Sequence, residues 1–521
     1  MSFTLLQSGS QLQFLDSSGS LSTLTLPTGV TLRTDVPPRF AIYQDYVVMV
    51  NTPSRPLIID ATGTVRPMVP KPPSVAPVLS AGSSGGLSGT YAKARVTFTQ
   101  KDGDGFLISE SDYSPASNSI TLSSENLQAT GVAVSTEDIS SRRLYRPVTG
   151  GTVLFPWIDL DGNTITIVQD DLSDVGLSLL PAPILGNPPR LTLIKEWRDR
   201  LWGVGDVYLD DILYSEASVF YAWPSSNYIT VPGAGRDQFG LRAFLPRREA
   251  LGIGRRDIIW QLTGTTPDDW QVVKLSENTG IESQESVVVY RDIALWLWKD
   301  GVYQWDSEGL RNVSDPQVKA WFNKDSYFNR DLFSSAFAVF DPVRLKYRLF
   351  LAAAGSTTLN RWVEYDVSTR KWWGPHKTSG FVPTCAFTVI DDADKTFPAV
   401  GSASAYVWME QQNPVDGTAP IEFIVDTKFY DGDMPDYEKL WGELSIIGKA
   451  QPRGQLQVIP KVGYLDATAK LPIPYNMTKG RQRLQRMGLG KLLQLRFQHN
   501  VVGEEVELYG FEVPHFVVGR R

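Results

Sequence analysis

Three histidines, one cysteine and several short acidic runs are the residues in this chain that could do chemistry. His376, His499 and His515 are far apart, and no HExxH or paired-cysteine spacing surrounds them, so no zinc site of the usual kind is expected. Cys385 stands alone between Thr384 and Ala386; it can form no internal disulfide and is expected to be a small buried residue. A Ser-His-Asp triad needs to meet only in space, but no GxSxG elbow is expected to mark a nucleophile. No GxxxxGK[ST] loop occurs, and Gly252-Ile-Gly-Arg-Arg-Asp257 lacks the following helix that a dinucleotide fingerprint needs.

The acids read as turn-makers. Asp102-Gly-Asp104-Gly and Asp159-Leu-Asp161-Gly-Asn163 look like fragments of calcium loops, yet neither has the distant Glu of such a loop, and Asp-Gly is the common hairpin turn. Asp16, Asp60, Asp306 and Asp366 each end an apolar strand and open a turn, and in the first three a Gly follows three residues later. An Asp carboxylate suits that position because it can accept from backbone N–H groups two residues on, while Gly supplies positive φ. A propeller glycosidase would need a carboxylate pair, but the Ser-x-Asp-x-Gly-x-x-Trp box of sialidase-type propellers is not the repeat found here. The bases form one dense group, Lys479, Arg481, Arg483, Arg486 and Lys491, with no acid among them. It reads as a solvated loop or as a contact with DNA phosphates or an acidic protein partner. Arg242, Arg247, Arg248, Arg255 and Arg256 form a looser group, read equally well as surface charges that discourage edge pairing. The residues therefore predict no catalytic site, no cofactor and no metal.

The elements that must position these residues are almost all strands. Short alternating or apolar runs are divided by Gly, Pro, Asn and Asp, the all-β pattern. The one helix expected is Asp315–Phe322, capped by Ser314 or Asp315 with Pro316 in its first turn. The stretch "RDIALWLWKDGVYQWDSEGLRNVS" at 291–314 is strand, turn, strand, Asp-x-x-Gly turn, strand. The same order recurs at 44–67, through a turn at Pro53 and Arg55, and at 346–373. A partial copy at the N-terminus turns through Ser17–Gly19, and looser copies begin at Arg198 and Arg256.

Repeats of this kind predict a β-propeller of about six blades, near 38–68, 190–230, 240–285, 286–316, 333–375 and 383–430. Trp296, Trp298, Tyr303 and Trp305 then pack between blades, and the N-terminal copy could complete the last one. Two regions fall outside the repeat. A Pro-rich then Gly/Ser-rich linker, "PMVPKPPSVAPVLSAGSSGGLSGT", leads into seven short strands, an immunoglobulin- or fibronectin-like sandwich over 71–187. A second sandwich is expected over 437–521. The propeller then occupies 1–70 and 188–436.

The totals agree with a folded multidomain protein: 521 residues, 42% hydrophobic, 21% charged, 15 Trp and a formal charge of −7. A net negative chain is a poor general coat for nucleic acid. No apolar run approaches the length of about 18 residues that spans a membrane, and MSFTLLQSGSQLQF lacks a basic start, so synthesis in a cytoplasm without a signal peptide is expected.

Four stretches carry a resemblance: "GLSGTYAKARVTFTQKDGDGFLISESDYS", "ISSRRLYRPVTGGTVLFPWIDL", "ENTGIESQESVVVYRDIALWLWKDGVYQWDSEGLRNVSDPQVKAWF" and "LGKLLQLRFQHNVVGEEVELYGFEV". Together with a propeller interrupted early by one sandwich and ended by another, they resemble the tail nozzle family of short-tailed bacteriophages, also called tail hub, tail tubular protein B or packaged-DNA stabilisation proteins. The resemblance implies a structural protein of the virion tail, without catalytic residues or cofactor. It would form a homohexameric ring below the portal and adaptor, meet tail fibre proteins, and retain and then conduct double-stranded DNA. The alternatives are a glycan- or receptor-binding propeller and a propeller glycosidase.

Overall fold

The computed structural model describes residues 4–520 except 17–19, 52–54, 178–179, 234–239, 324–326, 379–380, 391–393, 405, 410–414, 417–418 and 466. The expected turns at Ser17–Gly19 and Pro53 lie outside the described residues. Two compact units emerge: Met1–Asn323 with Phe333–Phe337 and Ile390–Lys395, and Lys324–Leu332, Ala338–Val389 and Thr396–Arg521.

The fold is all-β, a β-propeller with two sandwiches. In the first unit, four antiparallel meanders of four strands each make blades: Arg39–Tyr43 to Val65–Pro67, Leu191–Trp197 to Tyr228–Thr230, Ala243–Pro246 to Gln271–Ser276, and Val288–Tyr290 to Gly309–Asn312. Their first strands lie side by side in that order, as blades do around a common axis. Arg39 reaches from the first blade to Glu285, in the turn that leads into the fourth, with Nε donating to Oε1 at 2.9 Å.

A meander has two apolar faces, so each must be covered by a neighbour. One buried cluster joins Val48 and Ile58 to Ile194 and Phe220, the next joins Trp202 and Ile212 to Phe244 and Ile253, and a third joins Leu245 and Ile259 to Trp296 and Trp305. Trp296 is 0% exposed and Trp305 5%. The aromatics of 291–314 are therefore the filling between the third and fourth blades, as expected. Thr4–Ser8, Gln11–Leu15 and Leu21–Thr23 form a sheet of their own, and Leu12 packs on Met49 and Ile59 of the first blade.

The second unit holds a four-stranded meander, Phe337–Asp341 to Lys371–Lys377, and a three-stranded sheet, Pro383–Ile390 to Val407–Met409. Phe423–Asp426 does not belong to the latter. It pairs with Leu492–His499 and opens the C-terminal sandwich, so that sandwich begins before the expected residue 437. Its core gathers Leu444, Ile446, Val458, Leu495 and Phe497.

The inserted sandwich has the expected seven strands, four in one sheet and three in the other. Its core includes Leu79, Val96, Leu127, Leu144 and Trp157. Three local expectations fail. The Gly/Ser run is not linker but most of a strand, Val78–Tyr91, paired along Ile120–Thr130 with two register shifts. Its glycines serve close approach: a Cβ on Gly85 would stand 1.7 Å from Asn126 Oδ1 and 2.7 Å from its backbone N. Second, Asp315–Phe322 is no α-helix; only Lys319–Phe322 forms a 3₁₀ turn. The hydroxyl of Ser314 accepts from Val302 N in the blade at 2.8 Å, and the 3₁₀ turn begins after Val318 with no side-chain cap. Third, Cys385 is exposed, because its strand buries only Pro383 and Val389.

These contacts separate two neighbouring glycines. Gly85→Ala is expected to destabilise the protein by about 1–3 kcal/mol through overpacking against Asn126. Gly86→Ala, which meets open space, is expected to stay within about 0.5 kcal/mol of the parent in chemical unfolding.

Candidate functional site

The acids behave as turn residues. Asp60 Oδ1 accepts from the backbone N–H of Thr62 and Thr64 at 3.0 and 2.9 Å. Asp306 accepts from Glu308 N at 2.9 Å, and Asp366 from Ser368 N and Thr369 N, both at 2.9 Å. Asp16 accepts from Ser20 N at 2.8 Å. Gly63 and Gly309 stand at φ +84° and +103°, where a side chain would be strained.

Of the two calcium-like fragments, the one at Asp102 is a hairpin turn as expected, whereas Asp159-Leu-Asp161 ends strand Leu154–Asp161 and leads across to the other sheet of the sandwich, so it is not a hairpin turn. Asp102 Oδ1 accepts from Asp104 N at 3.0 Å and Phe106 N at 2.8 Å. Asp159 takes both its bonds from Arg143, at 2.6 and 2.9 Å, which hold its carboxyl below the usual range. The carbonyl of Gly162 accepts from the buried guanidinium of Arg142 at 3.2 Å, which sets a positive charge against that loop. Among the described residues no group of three or more His, Cys, Asp or Glu could hold a metal ion. Contrary to expectation the GxSxG spacing does occur, at Gly82-Ser-Ser-Gly-Gly86, but the run lies wholly inside strand Val78–Tyr91, without the turn and helix that would expose its serine.

The histidines meet different partners. His376 stacks on Trp362 at 4.0 Å, and burial pushes it down to about 4. His499 is buried against Glu504 at 2.9 Å, and His515 lies by the Trp441 ring at 5.2 Å. The looser arginine group works between blades. Arg247 bonds Asp292 with Nε at 3.2 Å from Oδ1 and covers the Trp305 ring, and Arg255, only 1% exposed, bonds Asp210 at 2.7 Å. Arg242 reaches Glu282 at 3.5 Å, whereas Arg248 is exposed and meets its neighbour Glu249.

The dense basic group is not a loop. Arg481–Gly490 is a strand of the C-terminal sandwich, paired with Tyr437–Gly448 across one register shift. Arg481, Arg483 and Arg486 stand opposite Ile447, Ser445 and Glu443, and all three face away from the core residues Leu444 and Ile446. Arg481 bonds Ser445 Oγ at 3.3 Å and Glu512 at 3.0 Å. Lys479 is exposed at the preceding turn, and Lys491 sits 5.5 Å over the Tyr464 ring. Neighbouring strands thus interleave Glu443 and Glu512 with a run that has no acid of its own. The arrangement is a charge ladder with a modest positive excess, not a continuous basic stripe.

One site had no signal beyond an acid inside an apolar run, "FLISE". Glu110 is 1% exposed in the inserted sandwich. Its Oε1 accepts from the Thr97 hydroxyl and from Tyr145 OH, the latter at 2.6 Å, while Oε2 has no hydrogen-bond partner among the described residues and lies 3.8 Å from Arg143. Burial raises its carboxyl pKa, against the pull of Thr97, Tyr145 and Arg143. A raised carboxyl near a lowered one, here Asp159, is the pattern of an acid–base pair. Glu110 is sealed from any substrate, so the pattern here is structural. Ile108, two residues away on the same strand, joins the cluster shared by the first two blades, so this strand is the seat of the sandwich on the propeller.

No protein-family model matches the chain, and no curated protein matches it. Among solved structures it is similar to Hsv2 of Kluyveromyces marxianus (11% identity, 55% of this chain and 68% of that one, TM-score 0.22). It is also similar to the N-terminal domain of Nup159 (10%, 68% and 87%, TM-score 0.28). A third is PorZ, a bacterial surface component of the type-IX secretion system of Porphyromonas gingivalis (9%, 99% and 80%, TM-score 0.27). At such scores these likenesses carry no functional argument.

Glu110 makes stability depend on pH. A carboxyl whose folded pKa lies above its unfolded value of about 4.3 gives its full contribution below that value, and the contribution is lost as pH rises through the folded pKa. Glu110→Gln cannot titrate. Its stability relative to the parent is expected to rise as pH increases from about 4, by at most about 1.4 kcal/mol per pH unit. Melting of both proteins between pH 4 and 8 checks the sign.

Proposed function

We propose that this chain is a structural subunit of a short-tailed bacteriophage tail, of the nozzle or hub type, that assembles as a homohexameric ring. The observation that carries this reading is the order of modules. A seven-stranded sandwich interrupts the propeller directly after its first blade, and a second sandwich closes the chain. The sequence stretches that resemble nozzle proteins fall on those same modules: the inserted sandwich, the third-to-fourth blade junction and the last strands.

In this role the protein works by shape and stacking, without a catalytic step or cofactor. Its partners are further copies of itself, the portal and adaptor above, tail fibre proteins at the periphery and double-stranded DNA passing along the ring axis. Its place is the virion tail, after synthesis in the host cytoplasm. A formal charge of −7 is compatible with a channel in which DNA slides instead of sticking.

Electron microscopy and analytical ultracentrifugation of the purified chain test the proposal. The expected result is a six-fold ring with a central channel, and antibodies against the chain should label the tail of the parent particle. A monomer that binds glycans on an array, or that hydrolyses a sugar substrate and loses this on carboxylate substitution, would overturn it.

A further inference from the structure

Two exposed apolar surfaces in the described chain are held rigidly and carry opposite charge at their rims. The first is the hairpin loop 206–211 of the second blade. Val207, Tyr208 and Leu209 are consecutive and 72%, 69% and 42% exposed. The loop is nonetheless fixed. Leu209 O accepts from Leu241 N and Asp210 O from Val231 N, both at 2.9 Å, and the buried Arg255 bonds Asp210 at 2.7 Å. Three carboxylates border the apolar tip. Asp206 is paired with Arg190, Asp210 with Arg255, and Asp211 accepts from the Thr230 hydroxyl at 2.7 Å. The rim is net acidic.

The second surface is the outer face of the Tyr437–Gly448 sheet in the C-terminal sandwich. Leu440 pairs in register with Leu489 on one side and Phe516 on the other, which puts the three side chains in one row. Leu489 is 49% exposed, Phe516 66% and the nearby Val518 60%. Along the same face run Arg486, Arg483 and Arg481, with Glu443 and Glu512 opposite them and Glu438 at the other end of the row. The end of the rim at Arg481, Arg483 and Arg486 is net basic.

We infer that the 206–211 loop of one copy docks on the Leu440–Leu489–Phe516 row of a second copy of this chain, with Tyr208 as the apolar anchor and Arg483 and Arg486 facing the acidic rim of the loop. A large aromatic on a preorganised loop, entering an apolar patch with a polar rim, is the arrangement of an interface hot spot. The two surfaces differ, so the contact is heterologous: each copy offers a loop to one neighbour and a face to the other, and such contacts propagate into a ring when the rotation closes. The inference rests on the ring reading proposed above and names the surfaces that build the ring.

Tyr208→Asp and Phe516→Asp test it in the full chain, by sedimentation at micromolar concentration. Both side chains are exposed, so melting curves should match the parent and show that each variant folds. Each variant alone should lose association by about thirtyfold or more and sediment as a monomer. An equimolar mixture should form a dimer and nothing larger, because one intact loop still meets one intact face. Variants that keep the parent ring would overturn the docking surfaces and leave the ring standing. A mixture that stays monomeric would overturn the pairing of loop with face. A parent that is itself monomeric would sink both the docking and the ring.

Discussion

The covering of both faces of every blade is the constraint on which the propeller depends. A four-stranded meander is too thin to have an interior, so its stability lies in the gap to the next blade. Tryptophan fills that gap with the most area, but a buried indole N–H must find an acceptor. For some the acceptor is in their own blade, as for Trp202 on Trp197 O, and for others it lies in the adjoining blade or the link between blades. Trp197 donates to Arg247 O at 2.7 Å, and Trp296 and Trp298 donate to Gly280 O and Arg256 O at 3.0 and 2.9 Å. Each of these bonds works only at one height along the stack, so the polar atom sets the register while the ring supplies the burial. Arg247 and Arg255 repeat the device with guanidinium groups, at positions that otherwise resemble scattered surface charge.

The inserted sandwich is attached by the same logic. Ile108 enters the cluster between the first two blades, and Glu137 of the sandwich binds Arg55 and accepts from Lys71 N at 2.8 Å. The chain leaves the first blade, builds a whole domain and returns to the second. The module is thereby tied at both of its ends and across one sheet. A buried carboxylate at this seat is costly, and three partners offset only part of that cost.

What could be read beforehand is what is decided locally. Asp60, Asp306 and Asp366 make their turns with bonds to residues two to four positions away, so the sequence pattern and the structure agree. The six repeat units and the seven strands of the insertion followed from alternation and turn spacing, which are also local. The failures share a different cause. Gly85 looks like linker because the side chain that requires a glycine there, Asn126, is about 40 residues away in sequence. Ser314 looks like a cap because the N–H that claims its hydroxyl belongs to Val302, across the blade. Phe423–Asp426 looks like a last propeller strand until its pairing with Leu492–His499 is known.

The basic run shows the same limit and also decides what kind of surface it makes. In sequence, Lys479 to Lys491 contains no acid. In the sheet, Glu443 stands opposite Arg486, and Glu512 faces Arg483 across Ser445. Polyanion binding at salt of about 0.15 M relies on neutralising many phosphates with clustered cations, and isolated charges are screened beyond about 8 Å. A ladder of alternating sign builds little field at that range. It acts at contact distance, where each guanidinium either meets a matching carboxylate or is left desolvated and unpaired. Placed beside an exposed apolar row, such a ladder discriminates between protein surfaces better than it attracts a nucleic acid. Of the readings the linear sequence leaves open for this group, a solvated loop, a phosphate contact or a protein partner, the paired carboxylates fit the protein partner better than the phosphate.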